Sequence, residues 1–113
     1  MKLEVGMLIR DEYGNIGKIV NINNYREPEM KYAIDYQRFS DVIFIGDMNI
    51  KKASHNIIDL IEVGDYVNGE LVEYIEVDSY KDYVINSGYW CKQKDIKSIV
   101  TKEQFESMSY KIN

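Results

Sequence analysis

Two stretches of this chain spell nearly the same phrase, and any fold it adopts has to house both. Leu3-Glu4-Val5-Gly6-Met7-Leu8-Ile9 and Ile61-Glu62-Val63-Gly64-Asp65-Tyr66-Val67 align without a gap as apolar-Glu-Val-Gly-x-apolar-apolar. A glycine-containing turn follows each, and then a β-rich run, Lys18 to Ile22 in the first and Leu71 to Val77 in the second. The second turn is Val67-Asn68-Gly69-Glu70, the strongest short-range hairpin signal in the sequence. Asn-Gly supplies the two positive-φ positions of a type I′ turn, whose twist matches the strands on either side. The expected fold is mainly β in a single domain. It is either a small barrel or two packed β-units, about 1–58 and 59–113, with one short C-terminal α-helix.

The remaining elements follow from pattern and punctuation. Lys2 to Arg10 reads as a first strand bent or bulged at Gly6, and Asn23 to Lys31, which holds the single proline, reads as a loop. Lys31–Tyr36 and Asp41–Ile45 have strand composition, and Ile50–Lys52 is a further short strand. Ser54 is an N-cap for one helical turn, 3₁₀ in type, before Leu60. Ile57, Ile58, Leu60 and Ile61 are expected to plug the core. Glu70 to Asp78 alternates imperfectly, which predicts a bulge near Glu73 or a strand covered on both faces. Tyr83–Ile85 and Gly88–Cys91 read as a second hairpin, and Ile96–Val100 as a short strand. Thr101-Lys102-Glu103-Gln104 matches a capping box, so a helix is expected over Lys102–Met108, with Phe105 and Met108 as its apolar stripe. Tyr110-Lys111-Ile112 is an edge-strand candidate that leaves pairing into a homo-oligomer open.

The spacing Gly-x-apolar-apolar-Arg followed by Gly-x-x-Gly-Lys-Ile-Val, over Gly6 to Val20, resembles the opening hairpin of SH3-like small barrels, including the KOW type. That likeness implies a fold. It also implies contact with nucleic acid or ribosomal partners in some members, although the fold hosts many functions.

Charge is unevenly distributed along the 113 residues, whose net charge is −5. Residues 1–58 are balanced, with eight basic and eight acidic side chains. Residues 59–82 set eight acids against Lys81 alone. An acidic surface repels phosphate backbones and favours basic partners. The plain alternative is a solvated face that keeps the protein soluble. Aromatic residues lie beside the acids: Tyr66, Tyr74, Tyr80, Tyr83, Tyr89 and Trp90. Tyr and Trp are enriched in binding hot spots, so the candidate partner-binding set is Glu62, Asp65, Glu70, Glu73, Glu76, Asp78, Tyr80, Asp82, Tyr89 and Trp90. Whether Trp90 is core or interface stays open. Stacking platforms for nucleic acid come with clustered Lys and Arg, and these rings adjoin the most acidic stretch instead.

The sequence offers no catalytic constellation. One histidine, His55, and one cysteine, Cys91, are the only residues from which a nucleophile–base pair of that type would be drawn. They are too few for structural zinc, and the calcium-loop register is absent around Asp11. No cofactor, metal site or enzymatic activity is expected. Without a signal peptide or an apolar run near 18 residues, a soluble cytoplasmic protein is the expectation.

Residues 52–69, from Lys-Ala-Ser-His-Asn-Ile-Ile-Asp-Leu to Asn-Gly, and residues 95–108 resemble small, mostly uncharacterised proteins of phages and prophages of low-GC Gram-positive bacteria. Tyr25 to Asn49 departs from that likeness. It implies a mobile-element context, in which small acidic proteins are often inhibitors of host defence, anti-CRISPR proteins among them. Two functional expectations follow. The first is a non-enzymatic inhibitor whose acidic, tyrosine-rich surface engages a basic groove of a host protein, such as a nuclease complex. The second is a small-barrel adaptor that binds nucleic acid through Arg10, Lys18, Arg26, Lys31 and Arg38.

Overall fold

The computed structural model describes residues 2–76, 82–85, 89–110 and 112, with backbone only at 82–85, 89 and 90. The chain divides into two compact units, Met1–Leu60 and Ile61–Asn113. Both are built from antiparallel strands, and the single α-helix lies near the C-terminus.

In the first unit β1 (Leu8–Asp11), β2 (Ile16–Ile22), β3 (Tyr32–Asp35), β4 (Ile43–Ile45) and β5 (Ile50–Ser54) form one sheet in the order β4-β3-β2-β1-β5. Side chains alternate across a strand, so Ile9, Ile19 and Ile34 reach one face together and are wholly buried there. Tyr32 and Tyr36 complete that cluster, with Leu3, Met7, Ile22, Ile45, Ile50 and Ala53 packed against it. Gly17 stands opposite Ile9. A Cβ there would lie 2.5 Å from Ile34 Cγ2 and 2.9 Å from the Asp35 carbonyl, so the neighbouring strand already occupies the space of a side chain. Val20, which alternation after buried Ile19 points to solvent, lies at a register shift between Ile19 and Asn21.

The sheet does not close into a barrel, which corrects that half of the expectation. Closure needs strands long enough to be shared between two neighbours. β4 has three residues, all paired with β3, and β4 and β5 remain the two edges. Leu3–Met7 is also not strand. Gly6 adopts φ +96° in a tight turn, and β1 begins after it.

Two charged residues at the end of β1 are buried for structural reasons. Arg10 Nη1 donates to the Leu60 carbonyl at 3.0 Å, holding the 3₁₀ turn Ile57–Leu60. Asp11 Oδ1 accepts the N–H groups of Tyr13 and Asn15, both at 2.9 Å, and its Oδ2 accepts the Tyr36 hydroxyl at 3.0 Å. Ser54, the last residue of β5, accepts the Asn56 N–H and donates to Asp59. The expected 3₁₀ turn begins two residues later than a Ser54 cap requires, with the Asn56 carbonyl accepting the Asp59 N–H.

In the second unit β6 (Tyr66–Val67), β7 (Glu70–Leu71) and β10 (Ile99–Val100) form a sheet in the order β10-β6-β7. β8 (Asp82–Ile85) and β9 (Tyr89–Lys92) pair with each other. The turn between them falls outside the described residues. Asn68 and Gly69 take φ +52° and +82°, as a type I′ hairpin requires. The helix α1 (Lys102–Met108) opens with the expected capping box. Thr101 Oγ1 accepts the Gln104 N–H at 3.3 Å, and Gln104 Oε1 accepts the Thr101 N–H at 3.0 Å. Beyond Leu71 the chain leaves the strand, and Tyr110 and Ile112 belong to no strand.

The sequence echo is a structural repeat. The turn Glu4-Val5-Gly6-Met7 closes from Met7 N–H to Glu4 O at 3.2 Å, and Glu62-Val63-Gly64-Asp65 closes from Asp65 N–H to Glu62 O at 3.1 Å. Gly64 has φ +97°, within a degree of Gly6. Gly6 N–H donates to Ile19 O and Ile19 N–H to Met7 O, both at 2.8 Å. Gly64 N–H donates to Val72 O at 2.9 Å and Val72 N–H to Asp65 O at 2.8 Å. In each unit the strand after this turn lies between its hairpin partner and the unit's last strand, β2-β1-β5 and β7-β6-β10. The pairings Leu8↔Ser54 and Tyr66↔Val100 bring Asn49-Ile50-Lys51 and Asp95-Ile96-Lys97 into correspondence. Each of these triplets leaves a 3₁₀ turn, Asp47–Asn49 or Gln93–Asp95. The third strands also read alike, Tyr32-Ala33-Ile34 and Tyr83-Val84-Ile85.

Candidate functional site

The small sheet of the second unit carries a partly exposed apolar row. Residues directly opposite in antiparallel strands share a face. Val100, Tyr66 and Leu71 are such a row, and Val67 on the other face is buried. The Phe105 ring stacks on Tyr66, with centroids 4.9 Å apart and planes inclined at 29°. Met108, three residues further along α1, continues the stripe. Leu71 is 37% exposed, Phe105 51% and Met108 72%, so this apolar surface faces water. The sequence signals Phe105 and Met108 as a helix stripe, which ordinarily goes to a core. Here α1 is two turns long and the stripe lies on the rim of a two-residue strand, so part of it stays outside.

Three carboxylates of the candidate set are exposed on the segment that runs from β7. Glu70 sits at the start of β7 opposite Val67, Glu73 follows buried Val72, and Glu76 comes three residues later, all exposed. The other acids are placed differently. Asp65 has no exposed surface: Oδ2 accepts the Glu62 N–H at 2.7 Å and Oδ1 the Lys102 N–H at 2.9 Å. It is therefore a clamp within the unit and is removed from the surface set. Glu62 is largely covered and pairs with Lys102 Nζ at 2.7 Å. Asp78 and Tyr80 lie outside the described residues, as do the side chains of Asp82, Tyr89 and Trp90, whose strands pair Asp82↔Lys92, Ile85↔Tyr89 and Val84↔Trp90. Asn68, singled out in the sequence only as a turn former, is a hub. Its Oδ1 accepts from Lys97 N and Ser98 N at 2.7 and 3.1 Å, and its Nδ2 donates to the Asp95 carbonyl at 2.9 Å.

Of the basic residues named in the second expectation, one is withdrawn from solvent and three lie over aromatic rings. Arg10 is fully buried and cannot reach a phosphate. Arg26 lies over the Phe44 ring at 4.4 Å, Lys31 over Tyr32 at 5.4 Å and Arg38 over Phe39 at 5.7 Å. Lys18 stands opposite Asp35.

Chemistry at the two singled-out residues is modest. Cys91 is buried, and that burial, with the nearby Asp95 charge second, raises its thiol pKa and holds it protonated. His55 is exposed and lies 3.4 Å from Glu4. Among the described residues no group of three or more His, Cys, Asp or Glu side chains is placed to hold a metal ion. No helix of the described residues is long and apolar enough to cross a membrane.

Compared with models of known protein families, with curated proteins and with solved structures, the chain gives no match.

Proposed function

We propose that this is a non-enzymatic binding protein that docks a cationic protein surface on the second unit, through the apolar residues Leu71, Tyr66 and Phe105 and the exposed carboxylates Glu70, Glu73 and Glu76. The observation that carries this reading is the difference between the two repeats, each serving as the other's control. Counting from the Ile19/Val72 equivalence, Gly17, Val20 and Asn23 stand where Glu70, Glu73 and Glu76 do. The same turn, glycine and buried aliphatic partner are built without those carboxylates, so the scaffold does not require them. The half-exposed Phe105 ring, stacked on the partly buried Tyr66, supplies apolar anchor area, and the acids supply charge complementarity that speeds encounter.

The likeness to phage and prophage proteins supports a specific partner class, a host defence nuclease whose nucleic-acid groove is the basic surface. The test is capture from lysate of a low-GC Gram-positive host, followed by the triple variant Glu70→Lys, Glu73→Lys, Glu76→Lys. Capture of a nuclease complex, weakened about tenfold or more by the variant and progressively by salt, is the expected result. Reversal of Glu27 and Glu29, exposed acids of the first unit, is the control that leaves capture unchanged. Unchanged capture by the triple variant overturns the proposal. So does retention of nucleic acid in place of protein, with a strong salt dependence.

A further inference from the structure

We infer that Trp90 is a platform on which an arginine side chain of the partner stacks. The two repeats place it. β3 and β4 pair Tyr32↔Ile45 and Ala33↔Phe44, and β8 and β9 pair Tyr83↔Cys91 and Val84↔Trp90. Counting back from the corresponding 3₁₀ turns, Asp47–Asn49 and Gln93–Asp95, gives the same answer. Ile45 and Cys91 each stand two residues before the turn, Phe44 and Trp90 three. One route runs across the hairpin and the other along the chain, and both set Trp90 where the first unit has Phe44.

Phe44 is 38% exposed and already carries a guanidinium, with Arg26 lying over its ring at 4.4 Å. The ring seats that group without help from a hydrogen bond at Nη1, which is buried and has no such partner among the described residues. The second unit keeps the aromatic position and lacks the cation. All three arginines, Arg10, Arg26 and Arg38, belong to the first unit. Where Lys31 precedes Tyr32, Asp82 precedes Tyr83, and the stretch leading to β8 carries Glu76 and Asp78.

Strand alternation puts Trp90 on the outward face of its hairpin. Its neighbour Cys91 is buried, whereas Lys92, which shares the face of Trp90, is exposed. Val84 and Asp82 belong to that face too, opposite Trp90 and Lys92. Asp82 is thus one diagonal step from Trp90, where a carboxylate complements a stacked guanidinium. Indole is the best ring for a cation, and arginine the commoner cation, since its flat and weakly hydrated guanidinium stacks. The inference rests on the cationic partner proposed above only for the source of the arginine.

The chain has one tryptophan, so its emission reports on this ring alone. In the unaltered protein that emission should be open to quenching by acrylamide. A short arginine-rich peptide should perturb it saturably, about threefold more tightly than the same peptide with lysine in place of arginine. Trp90→Leu, followed by the amide shifts of residues 82–85 and 89–92, should weaken the arginine peptide by about threefold, and Trp90→Phe should retain part of the binding. Emission shielded from acrylamide, an equal response to lysine and arginine, or unchanged affinity in Trp90→Leu overturns the inference. So does arginine binding that emerges only in Lys92→Ala, since the chain's own lysine then covers the ring. Partner capture unaltered by Trp90→Leu sinks this inference and leaves the acidic surface standing. Failed capture beside an intact arginine response sinks the cationic partner and leaves the platform.

Discussion

Asp65 Oδ1 accepts the backbone N–H of Lys102 at 2.9 Å, so a carboxylate withdrawn from solvent fastens the first turn of α1 to the repeat turn. Its second oxygen holds the Glu62 N–H. In the first unit the same turn position is Met7, whose sulfur accepts the Glu4 N–H at 3.3 Å and ties down no helix. One backbone frame thus carries two different clamps.

Removing the Asp65 clamp should cost more than any exposed acid. Asp65→Ala leaves two backbone donors without their acceptor, and about 3 kcal/mol of stability is the expected loss. Asp65→Asn, which keeps one acceptor oxygen, should lose roughly half as much. Urea unfolding measures both. A loss no greater than that of Glu73→Ala would remove Asp65 from this role.

The two repeat glycines should respond alike. At φ near +97° a Cβ is strained, so Gly6→Ala and Gly64→Ala should each cost about 1 kcal/mol or somewhat more. Gly17→Ala has a different origin and a larger effect, about 2–3 kcal/mol, because the new methyl meets Ile34 and the Asp35 carbonyl. Chemical denaturation of the three variants gives the order directly.

Two tyrosines should make the fold sensitive to alkali. Burial, then the hydrogen bond to Asp47 and its charge, pushes Tyr32 up to about 12. Burial, then the charge of Asp11 and the hydrogen bond to it, raises Tyr36 still further. Both states hold these protons below the ordinary tyrosine value of about 10, and the contribution is fully present there. Above it the unfolded chain ionises first and binds fewer protons, so stability falls from pH 10 through about 12. The urea midpoint should therefore drop across that window, and the double variant Tyr32→Phe, Tyr36→Phe should flatten the slope.

Phe105→Ala separates anchoring from folding. Loss of the stacked pair with Tyr66 should cost only about 1 kcal/mol of stability, since the ring is half exposed. If the apolar row anchors a partner, binding should fall by a much larger factor than that stability change implies. A titration with the captured partner gives the ratio.

Cys91 should behave as a protected thiol. Buried and held protonated, it should react with a disulfide reagent far more slowly in the native protein than in urea. Equal rates in the two states would place it at the surface.

What the sequence disclosed depended on how local the signal was. Asn68-Gly69, the capping box at Thr101 and Gln104, and the paired Glu-Val-Gly turns are each decided by neighbouring residues, and each is present. Long-range pairing was less accessible. Nothing near Asp65 announces that Lys102 will sit beside it, so its charge read as surface. Arg10 read as a basic contact for the same reason, although Leu60, fifty residues on, takes it inside. Barrel closure depends on strand length and shear, which composition does not encode, and three-residue β4 left the sheet open. The acids Glu70, Glu73 and Glu76 were legible as exposed, whereas the Tyr66–Phe105 contact was not.

The repeat has a practical consequence. Because a left-handed glycine, and the amide and carbonyl exchanged with one buried aliphatic residue, recur in both halves, the outward positions beside them, Val20 in one and Glu73 in the other, differ while that frame stays the same. Such a frame tolerates wholesale repainting: one half can be redressed for a new quarry while its twin preserves the older pattern as a template.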